Sequence, residues 1–492
     1  MKEVPELLLA DAIPAWNREC DVVVIGQGVA GTCAALEAHR AGADVLIVER
    51  ASGGGGASAM SSGIYYLGGG TAVQKAMGYE DTPDEMAAYM MASCDPLDPV
   101  AVRSFCDDGA AHFDWLEEQG LPFERTEFKG KAVFLDDTTC LMGTGNEKLW
   151  PYNRIAKPAP RGHKVAGTGE NAGHVGMAPL LQKCVDEGIP AIYDSNVTAL
   201  VADSAGRIVG VQVKQSGGTI YAKARRGVII AAGSFNLNRE MIAENIPLLG
   251  ETSEPLGIPS NDGAGVMLGL SAGAGTRAMD GVIPTASIYP PGQLIKGIVI
   301  NKRGNRFVAE DSYHGRTANF VMEQPDQKAY LIVDSEIFAY PEIPTANHTL
   351  IDGYETIGEM EAGLDLPAGS LVKTMADYNR HAAEGRDPLL HKDASWLKPL
   401  DKGPWAAFDI SFDRSTYLFI TLGGLKSGPN GECLNLRSEP IPGLYVVGAS
   451  AAHIPRTGKA YASGMSLGPG SYFGRRAGRH AAGANWVAAD PA

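Results

Sequence analysis

The feature that most constrains this chain lies near its start. Asp21-Val-Val-Val-Ile25 is an apolar, β-branched run, the pattern of a strand buried on both faces. Gly26-Gln-Gly28-Val29-Ala30-Gly31 follows directly, then an alanine-rich stretch that reads as a helix, then a second strand, Asp44-Val-Leu-Ile-Val-Glu49. In such a unit Gly26 makes the tight turn, Gly28 lets a pyrophosphate reach the backbone, and Gly31 lets the helix pack closely on the strand. The helix N-terminus then faces the phosphates. Glu49 ends the second strand eighteen residues past Gly31, where a carboxylate accepts hydrogen bonds from ribose hydroxyls. A glycine motif alone is weak. Strand, helix, strand and terminal acid in register specify a dinucleotide site.

The rest of the composition sets limits. A chain of 492 residues is too long for one core, so two or three domains are expected. A net charge of −15 argues against nucleic acid as a partner, because phosphate binding needs a basic stripe. No apolar run reaches membrane-spanning length, and the first residues lack a signal-peptide pattern. The seven cysteines are scattered and never form a C-x-x-C pair, which points to free thiols, a reducing compartment and no metal site. A cytoplasmic location is expected.

Later segments decide which dinucleotide is bound. Arg50 opens a Gly/Ser loop through Ala57, Ser58, Ser61, Ser62 and Gly63, suited to further phosphate and ribityl oxygens. Gly227-Val-Ile-Ile-Ala-Ala232-Gly233 and Pro442-Gly-Leu-Tyr-Val-Val-Gly448-Ala449 are two more buried strands ending in small residues. A domain binding only NAD has no need of that distant return; one binding FAD does. Together with DGAGVML and TLGGL, these segments resemble the fumarate reductase/succinate dehydrogenase flavoprotein superfamily over nearly the whole chain. The resemblance implies an α/β fold: a discontinuous Rossmann-like FAD-binding domain (1–285 and 427–492) with an inserted α+β substrate cap (286–426). It further implies that the Val197 backbone meets the adenine and that Ser466 and Leu467 meet the isoalloxazine. Members that link FAD covalently use a histidine in the loop after the second strand. Ala57-Ser58-Ala59 has none, so FAD is expected to be non-covalent.

Two segments compete for the proton chemistry that a flavin leaves to the protein. In Thr457 to Gly470, Tyr461 and Ser463 are flanked by small residues and lead into a helix start; packing and capping account for them equally well. In Ile300 to Arg316, Arg306 and Glu310 look like a structural pin of the family. Fumarate reductases carry an arginine proton donor four residues after that glutamate, where this chain has His314. The pattern E-D-S-Y-H-G-R, the run Y-A-S-G-x-S-L-G, GIYYLGGGT and EGRDPLLHK are instead similar to 3-ketosteroid dehydrogenases, closest to the Δ4-(5α) type.

That resemblance implies a steroid-degrading oxidoreductase of lipid metabolism. Tyr461 would hydrogen-bond the 3-keto oxygen, Ser463 would take the C4 proton, and Tyr313 would relay it. Gly464, Tyr65 and Tyr66 are expected beside the substrate, although the two tyrosines, like Leu67, suit a core equally. His453 and Arg456 leave open a clamp on a carboxylate, contact with solvent, or contact with the flavin pyrophosphate. The rival readings are a Δ1-dehydrogenase, a fumarate- or enoate-type reductase, and a flavoprotein that only carries electrons. The electron acceptor is unassigned. Acid or heat should release intact FAD from the yellow protein; flavin fluorescence migrating with the polypeptide on a denaturing gel contradicts this.

Overall fold

The computed structural model describes residues 4–94, 98–250, 252–285, 288–289, 291–342 and 348–488; both termini and residue 286, where the cap is expected to begin, lie outside them. The early unit forms as its pattern dictates: β1 (Arg18–Ile25), α1 (Val29–Arg40) and β2 (Val45–Val48). β1 and β2 pair in parallel, with Val22, Val23, Val24, Ile47 and Val48 fully buried between layers. The same sheet takes in β3 (Asn196–Ala202), β4 (Ile208–Gln215), β5 (Gly218–Ile230) and β6 (Pro440–Val446). The last three residues of β5 lie between Val23–Ile25 of β1 and Leu444–Val446 of β6, all parallel. Both late strands therefore end beside the Gly26 turn.

Close packing of helices locks this end of the sheet. α1 meets α3 (Leu467–Ala481) along alanines and glycines: a Cβ on Gly474 would stand 2.3 Å from the Ala30 carbonyl oxygen, and one on Gly478 would stand 2.1 Å from that of Ala34. A Cβ on Gly31 would come within 2.0 Å of the Gly26 oxygen, which is the packing role its place in the motif implies.

The second body carries a four-stranded antiparallel sheet in the order Ile298–Asn301, Ala329–Asp334, Trp405–Asp409, Thr349–Tyr354. The helix Ser370–Ala383 buries Leu371, Met375, Tyr378 and Ala382. A short sheet joins the two bodies, with Leu418–Thr421 between Glu254–Pro255 and Val282–Thr285. The stretch 156–163, which reads as an irregular loop, ends instead in a strand, Gly162–Lys164, paired with Ile64–Tyr66. His163 is fully buried there, bonded to the Thr71 hydroxyl at 2.8 Å, and so serves the core.

The Arg306/Glu310 pin is a buried charge cluster. Arg306 donates to Glu310 at 3.0 and 2.8 Å and to Asp387 at 3.1 and 2.8 Å, and the Lys392 ammonium lies 3.3 Å from Glu310. Burial pushes against ionisation of Glu310, but Arg306 and Lys392 prevail and hold its carboxyl below the usual range. The segment before the candidate tyrosine is thereby fastened to the 384–392 run. Glu310→Gln leaves two cations under-compensated out of water and should cost ~3–5 kcal/mol, read as a lowered midpoint in thermal and urea melts; unchanged midpoints contradict the role given to the cluster.

Candidate active site

A cavity of about 870 Å³ opens between the two bodies. One end is bounded by Gly26, Gly28, Val29, Ala30, Glu49, Arg50, Ala57, Ser58, Ser61 and Ser62, by Val197 of β3, and by Ala232, Gly233, Gly448 and Ala449. All of these were expected from sequence to hold the cofactor, and they come from five separate segments. Gly28 turns an open backbone to the cavity; a Cβ there would meet only the Ser58 hydroxyl, at 3.3 Å. Glu49 is held at the strand end by two amide donors, Gln27 N–H at 2.7 Å and Ala51 N–H at 2.8 Å, and it borders the cavity. Arg50 pairs with Asp262 at 2.9 Å. The buried Gln27 side-chain oxygen has no hydrogen-bond partner among the described residues. A helix start, an open glycine backbone and a strand-end carboxylate fit an adenine dinucleotide.

Four expected positions do not border this cavity: Gly31, Gly63, Tyr65 and Tyr66. Gly63 turns away, and a Cβ on it would strike Val165 and Ala172. Tyr65 and Tyr66 are 1% and 0% exposed and lie in the core. Tyr65 sits edge-on to Phe123, and the Tyr66 hydroxyl donates to Glu147 at 2.7 Å. Leu67 is likewise fully buried away from the cavity. Of their strand Ile64 borders the cavity, whereas the two tyrosines serve packing. The wall comes instead from Val133, Phe134, Ile283, Leu418 and Ile420, which are scattered along the sequence and share no motif.

The catalytic candidates gather at the other end. The Tyr313 hydroxyl and Ser463 Oγ are 2.8 Å apart, although 150 residues separate them. The Tyr461 hydroxyl lies 2.9 Å from Ser466 Oγ, which is 3.4 Å from His453 Nε2. Burial pushes Tyr313 well above the ordinary phenol range, so it rests protonated. Burial also raises Tyr461, against hydrogen bonds from the Ser466 hydroxyl and N–H. Gly464 borders the cavity and accepts the Tyr66 N–H at 3.1 Å, fixing the loop that carries Ser463.

Asn146 completes the arrangement, and sequence reading missed it. Its side-chain oxygen accepts the Tyr313 N–H at 3.1 Å and its amide donates to the Lys459 carbonyl at 3.3 Å, while the Thr144 carbonyl accepts Ser463 N–H at 3.3 Å. The stretch 143–147 thus ties both catalytic segments together. Its glycines and polar singletons have no period from which this could be read.

His453 and Arg456 form no clamp. His453 is half-buried at the cavity edge, with its Nδ1 at 3.2 Å from the Leu422 carbonyl, whereas Arg456 is exposed and borders no part of the cavity. Among the described residues no group of three or more potential ligands is placed to hold a metal, and no helix is long and apolar enough to cross a membrane. All seven cysteines are buried free thiols.

The parallel strands around the Gly26 turn, the glycine-lined helix start and the returning strands define a Rossmann-type flavin nucleotide-binding protein. The FAD binding domain family model matches residues 21–463, and the chain belongs to that family, with FAD as its cofactor. The structure is similar to that of a 3-ketosteroid-Δ4-(5α)-dehydrogenase from Rhodococcus jostii RHA1 in complex with 4-androstene-3,17-dione. That likeness covers 97% of this chain and 99% of the other, with TM-score 0.91 and 40% identity. A 3-oxo-5-alpha-steroid 4-dehydrogenase from Comamonas testosteroni is 28% identical over 91% of this chain and 95% of its own length. A urocanate reductase from Eggerthella lenta is 29% identical over 97% of this chain and 77% of its own.

Burial fixes the histidines as neutral. It pushes His163 and His453 down to about 4, and burial with the nearby Lys131 charge pushes His314 to about 3, from an ordinary 6.5. Below 6.5 the unfolded chain therefore binds protons that the folded chain refuses. The thermal midpoint should hold above pH 6.5 and fall as pH drops from about 6.5 towards about 4; a flat profile through that window contradicts the burial of these rings.

Proposed function

We propose that this chain is an FAD-dependent 3-ketosteroid dehydrogenase that introduces a C4–C5 double bond into 3-keto-5α-steroids. The observation that carries the reading is the 2.8 Å contact between Tyr313 and Ser463, in an apolar-walled cavity that also presents Tyr461. The likeness to the Rhodococcus enzyme over nearly the whole of both chains supports it.

Val133, Phe134, Ile283, Leu418 and Ile420 suit the fused rings of a neutral steroid, whose burial drives binding. Tyr461 donates to the 3-keto oxygen, with the Ser466 hydroxyl and N–H backing its phenol oxygen, and so stabilises the developing enolate. Ser463 Oγ takes the C4 proton as its own proton passes to the Tyr313 oxygen, because a serine hydroxyl is a poor base unaided. Tyr313, held by Asn146 and the buried charge cluster, gives up its own phenol proton towards solvent in the same concerted step, because a neutral phenol cannot hold a second proton. The electron pair left at C4 forms the C4–C5 bond. FAD, held by the Gly26–Ala30 turn, Glu49 and the Gly/Ser loop through Ser58, would supply the hydride acceptor for the C5 hydrogen.

A fumarate-type mechanism lacks its parts here. His314 occupies the expected arginine position, and Arg456 stands outside the cavity.

Tyr461→Phe and Ser463→Ala should each slow anaerobic flavin reduction by a 3-keto-5α-steroid by about 10²–10⁴-fold while FAD stays bound. Tyr313→Phe should be comparably severe, and Arg456→Ala should stay within about twofold of wild type. Near-normal rates in the first two variants with collapse in Arg456→Ala would move the protein to the carboxylate-reducing branch.

A further inference from the structure

His314 is the first residue of α2 (His314–Met322), directly after Tyr313. Only 3% of it is exposed and it borders the cavity, yet neither ring nitrogen has a hydrogen-bond partner among the described residues. A neutral imidazole carries one donor and one acceptor, and leaving both unmet inside a protein is costly. The neighbouring cavity polar groups are committed: Tyr313 and Ser463 to each other, Tyr461 to Ser466, and Thr285 to the Leu418 carbonyl. Each of these hydroxyls has at least one partner, whereas both ring nitrogens of His314 are without one among the described residues.

Its place in the chamber is fixed. The imidazole and the Tyr313 ring have centroids 4.1 Å apart, which puts His314 at the end of the cavity that presents Ser463. An apolar side chain would be the economical choice against a hydrocarbon substrate. A histidine there favours ligands that complete its hydrogen bonding.

Building on the steroid reading, we propose that His314 is a specificity-determining residue that hydrogen-bonds a second oxygen function on the substrate, a hydroxyl or keto group on the ring skeleton distinct from the 3-ketone. Three consequences follow from the chemistry. Substrates bearing that oxygen are preferred over the bare 3-keto-5α-steroid, the preference resides in kcat/KM mainly through KM, and it depends on a side chain with both a donor and an acceptor.

The test uses the FAD-loaded enzyme, the parent 3-keto-5α-steroid and a panel carrying one additional hydroxyl or keto group at successive positions on rings B, C and D. Wild type is expected to favour at least one panel member over the parent by about 10-fold or more in kcat/KM, the scale of one satisfied buried hydrogen bond. His314→Leu should bring that ratio close to one, and His314→Gln, which retains a donor and an acceptor, should restore part of it. Dissociation constants from the perturbation of the flavin spectrum by the corresponding 4-ene-3-one products should show the same ordering, independently of turnover. FAD content of each variant checks that it has folded. A wild-type ratio near one for every member, or a ratio undiminished in His314→Leu, overturns the inference while leaving the dehydrogenase reading intact. Flavin reduction by none of the steroids, parent included, overturns that reading and the inference with it.

Discussion

Four charges buried together, Arg306, Glu310, Asp387 and Lys392, set the geometry on which the site depends. Two cations and two carboxylates out of water are tolerable only as a neutral, closely hydrogen-bonded group, which leaves them little freedom to shift. Glu310 also accepts the Val299 N–H at 3.0 Å, so the cluster is fastened to the four-stranded sheet that holds Ile298–Asn301. Tyr313 stands three residues beyond Glu310 and inherits that rigidity. A hydroxyl that must stay within hydrogen-bond distance of Ser463 across the cavity requires such a fixed origin.

The nucleotide half solves a different problem with small residues. The parallel strands deliver Gly26, Ala232 and Gly448 to one edge, and the backbone contacts of α1 with α3 hold the helix start against that edge. α3 begins at Leu467, one residue after Ser466, which touches Tyr461. The packing that fixes the cofactor end therefore also anchors one wall of the substrate end. Asn236 links this half to the crossing strand, its side-chain oxygen accepting from the Thr421 N–H at 2.9 Å and hydroxyl at 2.8 Å. The two ends of the cavity are thus parts of one frame.

The sequence was most legible where chemistry is local. Gly26 to Gly31 and Glu49 announce their roles because turn, helix start and strand end are neighbours in the chain. Tyr313, Tyr461 and Ser463 were named through resemblance; spacing alone is silent on a contact between residues 150 positions apart. Tyr65 and Tyr66 misled because an apolar strand reads the same whether it lines a cavity or is buried on both faces, and here helices and the Gly162–Lys164 strand cover it. Asn146 was invisible, since a loop residue that binds two distant backbones has no periodicity to reveal it. Its role exists only once both segments are in place.

The account stands on one chemical claim: a proton leaves C4 through Ser463 and Tyr313 while the C5 hydrogen leaves as hydride. Anaerobic stopped-flow reduction of the bound flavin by a 3-keto-5α-steroid deuterated at C5, with solvent exchange from a C4-deuterated substrate followed in parallel, tests it most directly. The account predicts rapid bleaching by the unlabelled steroid, a primary isotope effect from C5 deuterium, and loss of one C4 deuteron per turnover to water. Bleaching without a C5 isotope effect when chemistry limits the rate, loss of hydrogen from C1 and C2 with C4 and C5 retained, or no bleaching at all would contradict it.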